Sequence, residues 1–126
     1  MSDDESKLQV LERVLDGFNR HDVDAILAEF SEDCVFVSPR GPDPWGRRLV
    51  GRAEVREGFA ARFQGIPNVH YEGTGDFVAG DRAVSEWTLT GTTVDGQELE
   101  VWGCDLWTFR GDQIICKNSF WKIVER

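Results

Sequence analysis

The chain has 126 residues, 23 acidic and 14 basic, for a net charge of −9 at neutral pH. Such a surface repels the phosphates of nucleic acids and anionic membranes, so neither is expected as a partner. With 40% hydrophobic residues, eight Phe and five Trp, the composition excludes a disordered chain and suits one domain over 1–126 with its own core.

Residues 1–6, with Asp3, Asp4 and Glu5, read as a frayed polar tail. From Ser6, apolar residues at Leu8, Val10, Leu11, Val14, Leu15 and Phe18 form a helical stripe. Asn19-Arg20-His21-Asp22 breaks it, and Asp22 can cap a short second helix carrying Val23, Ile26, Leu27 and Phe30. Ser31-Glu32-Asp33 reads as a turn before the strand Cys34–Ser38. Residues 39–51 hold three of the four prolines together with Gly41, Gly46 and Gly51, and are expected as a loop. Arg52 to Phe63 resumes helical spacing through Val55, Phe59, Ala60 and Phe63. From Asn68 onward the pattern predicts about four antiparallel strands. Helices segregated from a continuous antiparallel sheet imply an α+β layer fold, and a curved sheet around helices would leave an apolar pocket between them.

Cys34, Cys104 and Cys116 are odd in number, lie in apolar runs and lack metal-ligand spacing. They read as core residues of a reducing compartment. No run reaches membrane-span length and the polar N-terminus lacks an apolar signal segment, so a cytoplasmic location is expected. Neither a metal nor a cofactor is expected.

The run Glu98–Phe109 carries the sharpest chemical signal. By the two-residue period of a strand, Val101, Gly103, Trp107 and Phe109 share the face of Asp105. A carboxylate on such a face is either a working group or a structural one satisfied by nearby donors. Val94-Asp95-Gly96-Gln97 reads as a two-residue type I′ hairpin, which sets Glu86 opposite Asp105 and Trp87 opposite Cys104. Two facing carboxylates would share a proton, the logic of an acid–base pair. For the next turn, Arg110-Gly111-Asp112-Gln113, two registers remain open. A tight turn brings Asn118, Cys116 and Phe120 to the face of Asp105, whereas a one-residue bulge brings Lys117, Ser119 and Trp121. The other face of the middle strand carries Trp102, Cys104 and Leu106, an apolar patch unless another surface covers it.

The run Phe18-Asn19-Arg20-His21-Asp22-Val23-Asp24-Ala25-Ile26, the Phe30–Asp33 segment, Gly51 opening a helix and the Gly103–Ile114 strand pair resemble the SnoaL-like polyketide-cyclase and ketosteroid-isomerase superfamily. The resemblance covers roughly Leu8 to Trp121. It implies the nuclear transport factor two-like, cystatin-like cone fold and a homodimer through the sheet face with Trp102 and Leu106. Asp105 matches the strand aspartate that serves as acid or hydrogen-bond donor in the isomerases and as acid/base in the cyclases. The isomerase base before a proline corresponds to Ser38, which precedes Pro39, and the isomerase tyrosine to Val14. Steroid isomerisation is therefore not expected, while a single-aspartate cyclase pattern survives. Two readings follow. One is cofactor-independent isomerase, cyclase or dehydratase chemistry on a small hydrophobic carbonyl compound, with Asp105 moving a proton, Glu86 tuning it and Asn118 or Lys117 orienting it. The other is a non-catalytic module binding a hydrophobic ligand or partner. Trp107, Phe120 and His70 are further pocket candidates, Trp45 a lid or subunit contact, and His21 a capping or surface residue.

Overall fold

A computed structural model describes residues 3–125. Helix α1 spans Asp3–Asn19 and α2 spans Val23–Leu27. Strands β1 (Phe30–Asp43) and β2 (Gly46–Val50) precede helix α3 (Gly51–Gly65). Strands β3 (His70–Ala79), β4 (Arg82–Thr92), β5 (Glu98–Arg110) and β6 (Gln113–Trp121) complete the chain order. The α+β class is as expected, with four strands after Asn68.

Three local expectations change. Asp3, Asp4 and Glu5 form the first turn of α1, where their charges favour the positive end of the helix dipole. Residues 3–6 are thus helical, and Met1 and Ser2 lie outside the described residues. The Ser31–Asp33 turn is instead part of β1, at the irregularity where pairing with β6 skips from Phe30 to Val35. The expected loop over 39–51 is a hairpin of β1 and β2. Its prolines are tolerated because β6 pairs with β1 no further than Val37, so Pro39 and Pro42 face no ladder on that side. Gly46, at φ 95°, closes the turn with its Cα against the Ser38 carbonyl, leaving no room for a Cβ.

The six strands form one curved, unclosed sheet in the order β2-β1-β6-β5-β4-β3. Only β1 and β6 run parallel; every other neighbour is antiparallel. Helix α1 lies against β3, and α3 against β1 and β2, so one sheet face is covered. The core joins Val10, Leu11, Val14 and Phe18 of α1 to Phe59 of α3, Trp87 and Leu89 of β4, and Trp107 and Phe109 of β5. The motif 18–22 docks helix to sheet. Asn19 Nδ2 donates to the Tyr71 carbonyl at 2.9 Å and its Oδ1 accepts from Tyr71 N–H at 2.8 Å, acting as a surrogate strand partner. His21 (φ 56°) stacks on Phe63 and donates from Nε2 to the Val69 carbonyl at 2.8 Å, while Asp22 caps α2 through Ala25 N–H. Among the described residues no helix is long and apolar enough to cross a membrane.

Candidate functional site

Two turns decide which side chains surround Asp105. Between β4 and β5, Thr93 N–H bonds the Gln97 carbonyl, Gly96 N–H bonds the Thr93 carbonyl, and Gly96 sits at φ 87°. The connection is therefore a three-residue loop, Val94-Asp95-Gly96, with glycine in the left-handed position. One extra loop residue moves every pair by one. Glu86 pairs with Cys104 and is exposed, and Ser85 takes the place opposite Asp105. The predicted facing carboxylates are thereby corrected: no acid–base pair of Glu86 and Asp105 exists, and Trp87 moves to the Asp105 face. A one-residue slip always exchanges the two faces of a strand.

Between β5 and β6 the bulged alternative holds. Phe109 pairs with Ile114 but Thr108 pairs with Cys116, leaving Ile115 as the extra residue. Lys117 and Ser119 consequently share the inner face with Asp105, while Asn118, opposite Leu106, and the 48% exposed Phe120 lie on the outer face.

The result is a buried polar cluster in an aromatic wall. Lys117 Nζ lies 2.9 Å from Asp105 Oδ1 and donates to Ser119 Oγ at 2.6 Å. Ser119 Oγ donates to the same Asp105 oxygen at 2.5 Å, and Trp87 Nε1 donates to Oδ2 at 2.9 Å. Beside them Trp107 Nε1 donates to Ser85 Oγ at 2.9 Å. Both side chains of the ion pair are 7% exposed. Lys117 Nζ is 4.8 Å from the Phe36 ring centroid and 5.3 Å from that of Phe18. Burial pushes the Lys117 ammonium below its ordinary range, although the charge and hydrogen bond of Asp105 pull it back up. Burial also raises the Tyr71 phenol, to about 12. A desolvated ion pair barely repays its own dehydration, so such a cluster is a candidate for function more than a device for stability.

Two small cavities flank the cluster. One, about 30 Å³, lies between Val14 and Leu15 of α1, Tyr71 and Trp87, and reaches Asp105, Trp107 and Lys117. The other, about 10 Å³, lies toward α3 and shares Phe18, Tyr71, Trp87 and Lys117 with the first. The interior is thus polar at its floor, apolar on its walls and of water-scale volume. Of the residues singled out in the sequence, Val14, Trp107 and Lys117 line the larger cavity. Glu86 reaches only the rim of the larger cavity. Ser38 pairs with Arg47 away from both, and His70 is exposed, 3.5 Å from Glu72. Trp45 is 53% exposed at the β1–β2 turn, over Arg48, and lines neither cavity. Trp87, Ser85 and Tyr71 were missed. The signal for the first two was Gly96 as third residue of a three-residue loop. Among the described residues no three His, Cys, Asp or Glu side chains gather as metal ligands would.

The fold is that of an α+β domain whose curved, unclosed sheet carries this polar cluster on its helix-covered face. A family model for the SnoaL-like domain matches residues 11–116, and the chain belongs to that family. Solved structures agree on the fold. A protein from Jannaschia sp. CCS1, named as a SnoaL-like polyketide cyclase, is 18% identical with a TM-score of 0.85, over 97% of this chain and 89% of that one. A nuclear transport factor two-like protein of unknown function from Mesorhizobium loti is 27% identical with a TM-score of 0.80, over 98% and 96%. A protein of ketosteroid isomerase-like fold from Catenulispora acidiphila, in complex with trimethylamine, is 21% identical with a TM-score of 0.78, over 90% and 85%. No curated protein matches the chain.

Proposed function

We propose that the chain binds a small, largely apolar carbonyl compound between its helices and sheet, and performs cofactor-independent proton transfer there. The observation that carries this reading is the buried Asp105–Lys117 pair in the cavity wall. The roles differ from those expected of a lone aspartate. Lys117 spends two of its three N–H donors on Asp105 and Ser119. The third can polarise a carbonyl oxygen and hold the negative charge of an enolate, the kind of preorganised stabilisation that dominates many active sites. Among the described residues Asp105 Oδ2 accepts only the Trp87 N–H, so one lone pair remains to take a proton from the neighbouring carbon. An ion pair of this span suits adjacent atoms of an H–C–C=O unit. Proton transfer of this kind contributes about 10²–10⁴-fold in rate.

A second reading is non-catalytic binding at the same site, favoured by the three donors that immobilise Asp105. Deuterium exchange at the carbon next to the carbonyl of butanone and 2-cyclohexenone, followed by proton NMR, separates the two. The expected outcome is exchange accelerated over buffer and reduced at least about 100-fold in Asp105→Asn and in Lys117→Met. Ligand binding without accelerated exchange would replace catalysis by the binding reading. The outer face, with Trp102, Leu106 and Phe120, is proposed to be covered by a second copy of the chain.

A further inference from the structure

Arg62 stands at the last turn of α3 without an acidic partner, in a chain with nine more acidic than basic residues. Among the described residues no carboxylate lies within ion-pair distance of it. Its guanidinium instead rests 4.5 Å over the Trp121 ring, and both residues are half-buried at the smaller cavity. The same cavity is lined by Tyr71, Lys117 and Ser119. Tyr71 is only 9% exposed and lines the cavity, while Asn19 fixes its backbone.

The charges around this cleft do not cancel. Asp105 neutralises Lys117, while among the described residues Arg62 has no carboxylate partner. The larger cavity is lined by the acids Asp76 and Glu86 and the smaller by Arg62, and the two share the walls Phe18, Tyr71 and Trp87.

We propose that the cleft takes a small monoanion, a carboxylate or stabilised enolate on a compact apolar body, with its charged oxygens received by Arg62, the Tyr71 hydroxyl and Lys117. The inference rests on the reading of the cavity as a small-molecule site and deepens it by naming the ligand's charge and orientation. Planar guanidinium is matched to carboxylate geometry, and Tyr71 supplies a neutral donor that costs no charge. The ligand enters by displacing the Arg62–Trp121 contact. Both side chains are half-buried at the edge of the fold, and the cavity behind them holds only water-scale volume while they lie across it.

The test is calorimetric titration with benzoate and cinnamate against benzamide and cinnamamide, matched in shape and lacking the charge. The wild-type chain is expected to bind at least one carboxylate ten-fold or more tighter than its amide. Arg62→Gln should remove most of that preference, Arg62→Lys should restore part of it, and Tyr71→Phe should weaken the carboxylate several-fold. The loss in Arg62→Gln should fall on the carboxylates far more than on the amides. Equal binding of acid and amide, or an acid affinity indifferent to Arg62→Gln, would overturn the anion site and leave the pocket reading standing. Binding of neither class would overturn both.

Discussion

Asp105 shows how a residue's chemistry is decided by its neighbours. An isolated buried carboxylate would cost several kcal/mol, and here three donors from two different strands meet it. Tyr71 is the contrasting case, a buried aromatic at the cavity and outside the ion-pair cluster. It is the chain's single tyrosine, so tyrosinate absorbance near 295 nm reports on it alone. The phenol should ionise with a midpoint of about 12 in the folded protein, against about 10 once unfolded. The sign follows from that difference. A phenol whose folded value is raised contributes stability that is complete below about pH 10 and lost as the pH climbs toward about 12. Tyr71→Phe should flatten this alkaline loss in urea titrations at successive pH values. A folded-state midpoint near 10 would mean that the hydroxyl reaches bulk water, and would remove it from the site.

At the level of elements, most of the fold was legible in the sequence. The stripe from Leu8 to Phe18 and the Asp22 cap located α1 and α2, and Val55, Phe59 and Phe63 located α3. Register was not legible, because a strand has a period of two and its faces depend on a single residue in a turn. The Asp-Gly pair pointed to a two-residue hairpin, and the chain uses a three-residue loop with Gly96 in the left-handed position. That residue moved Glu86 off the face of Asp105 and brought Trp87 and Ser85 onto it. In the next hairpin the bulge at Ile115 selected Lys117 over Asn118, an outcome that the sequence left open. Gly103 makes this geometry sensitive. A Cβ there would clash with both the Phe120 carbonyl oxygen and Trp87 Cη2. Gly103→Ala should cost about 1–3 kcal/mol in urea denaturation and shift tryptophan fluorescence as Trp87 leaves Asp105. Gly96→Ala should cost about 1 kcal/mol through backbone strain and leave that fluorescence unchanged. Equal spectra for the two variants would mean that Gly103 does not hold Trp87 in place.

For the molecule as a whole, the covered and uncovered faces of one sheet carry different tasks. The inner face holds the polar cluster. The outer face presents Trp102 at 67% exposure and Phe120 at 48%, across a shallow depression that includes Cys104. Large exposed apolar patches mark association surfaces. Sedimentation velocity at micromolar concentration should show a dimer that Trp102→Glu converts to monomer, with the helical circular-dichroism signal unchanged. A wild-type monomer would remove the second copy from the proposal.

The place of β6 has a consequence for how the chain is made. Among the described residues it is the only strand linking β1 and β2 to the β3–β5 meander, yet it follows every other described strand in the sequence. A nascent chain that has emerged only as far as Arg110 holds two separate sheets, each with an open edge where β6 will later insert. Such edges invite pairing with other chains. Lys117 and Ser119 arrive with that strand, so Asp105 remains without these two donors until β6 has been made.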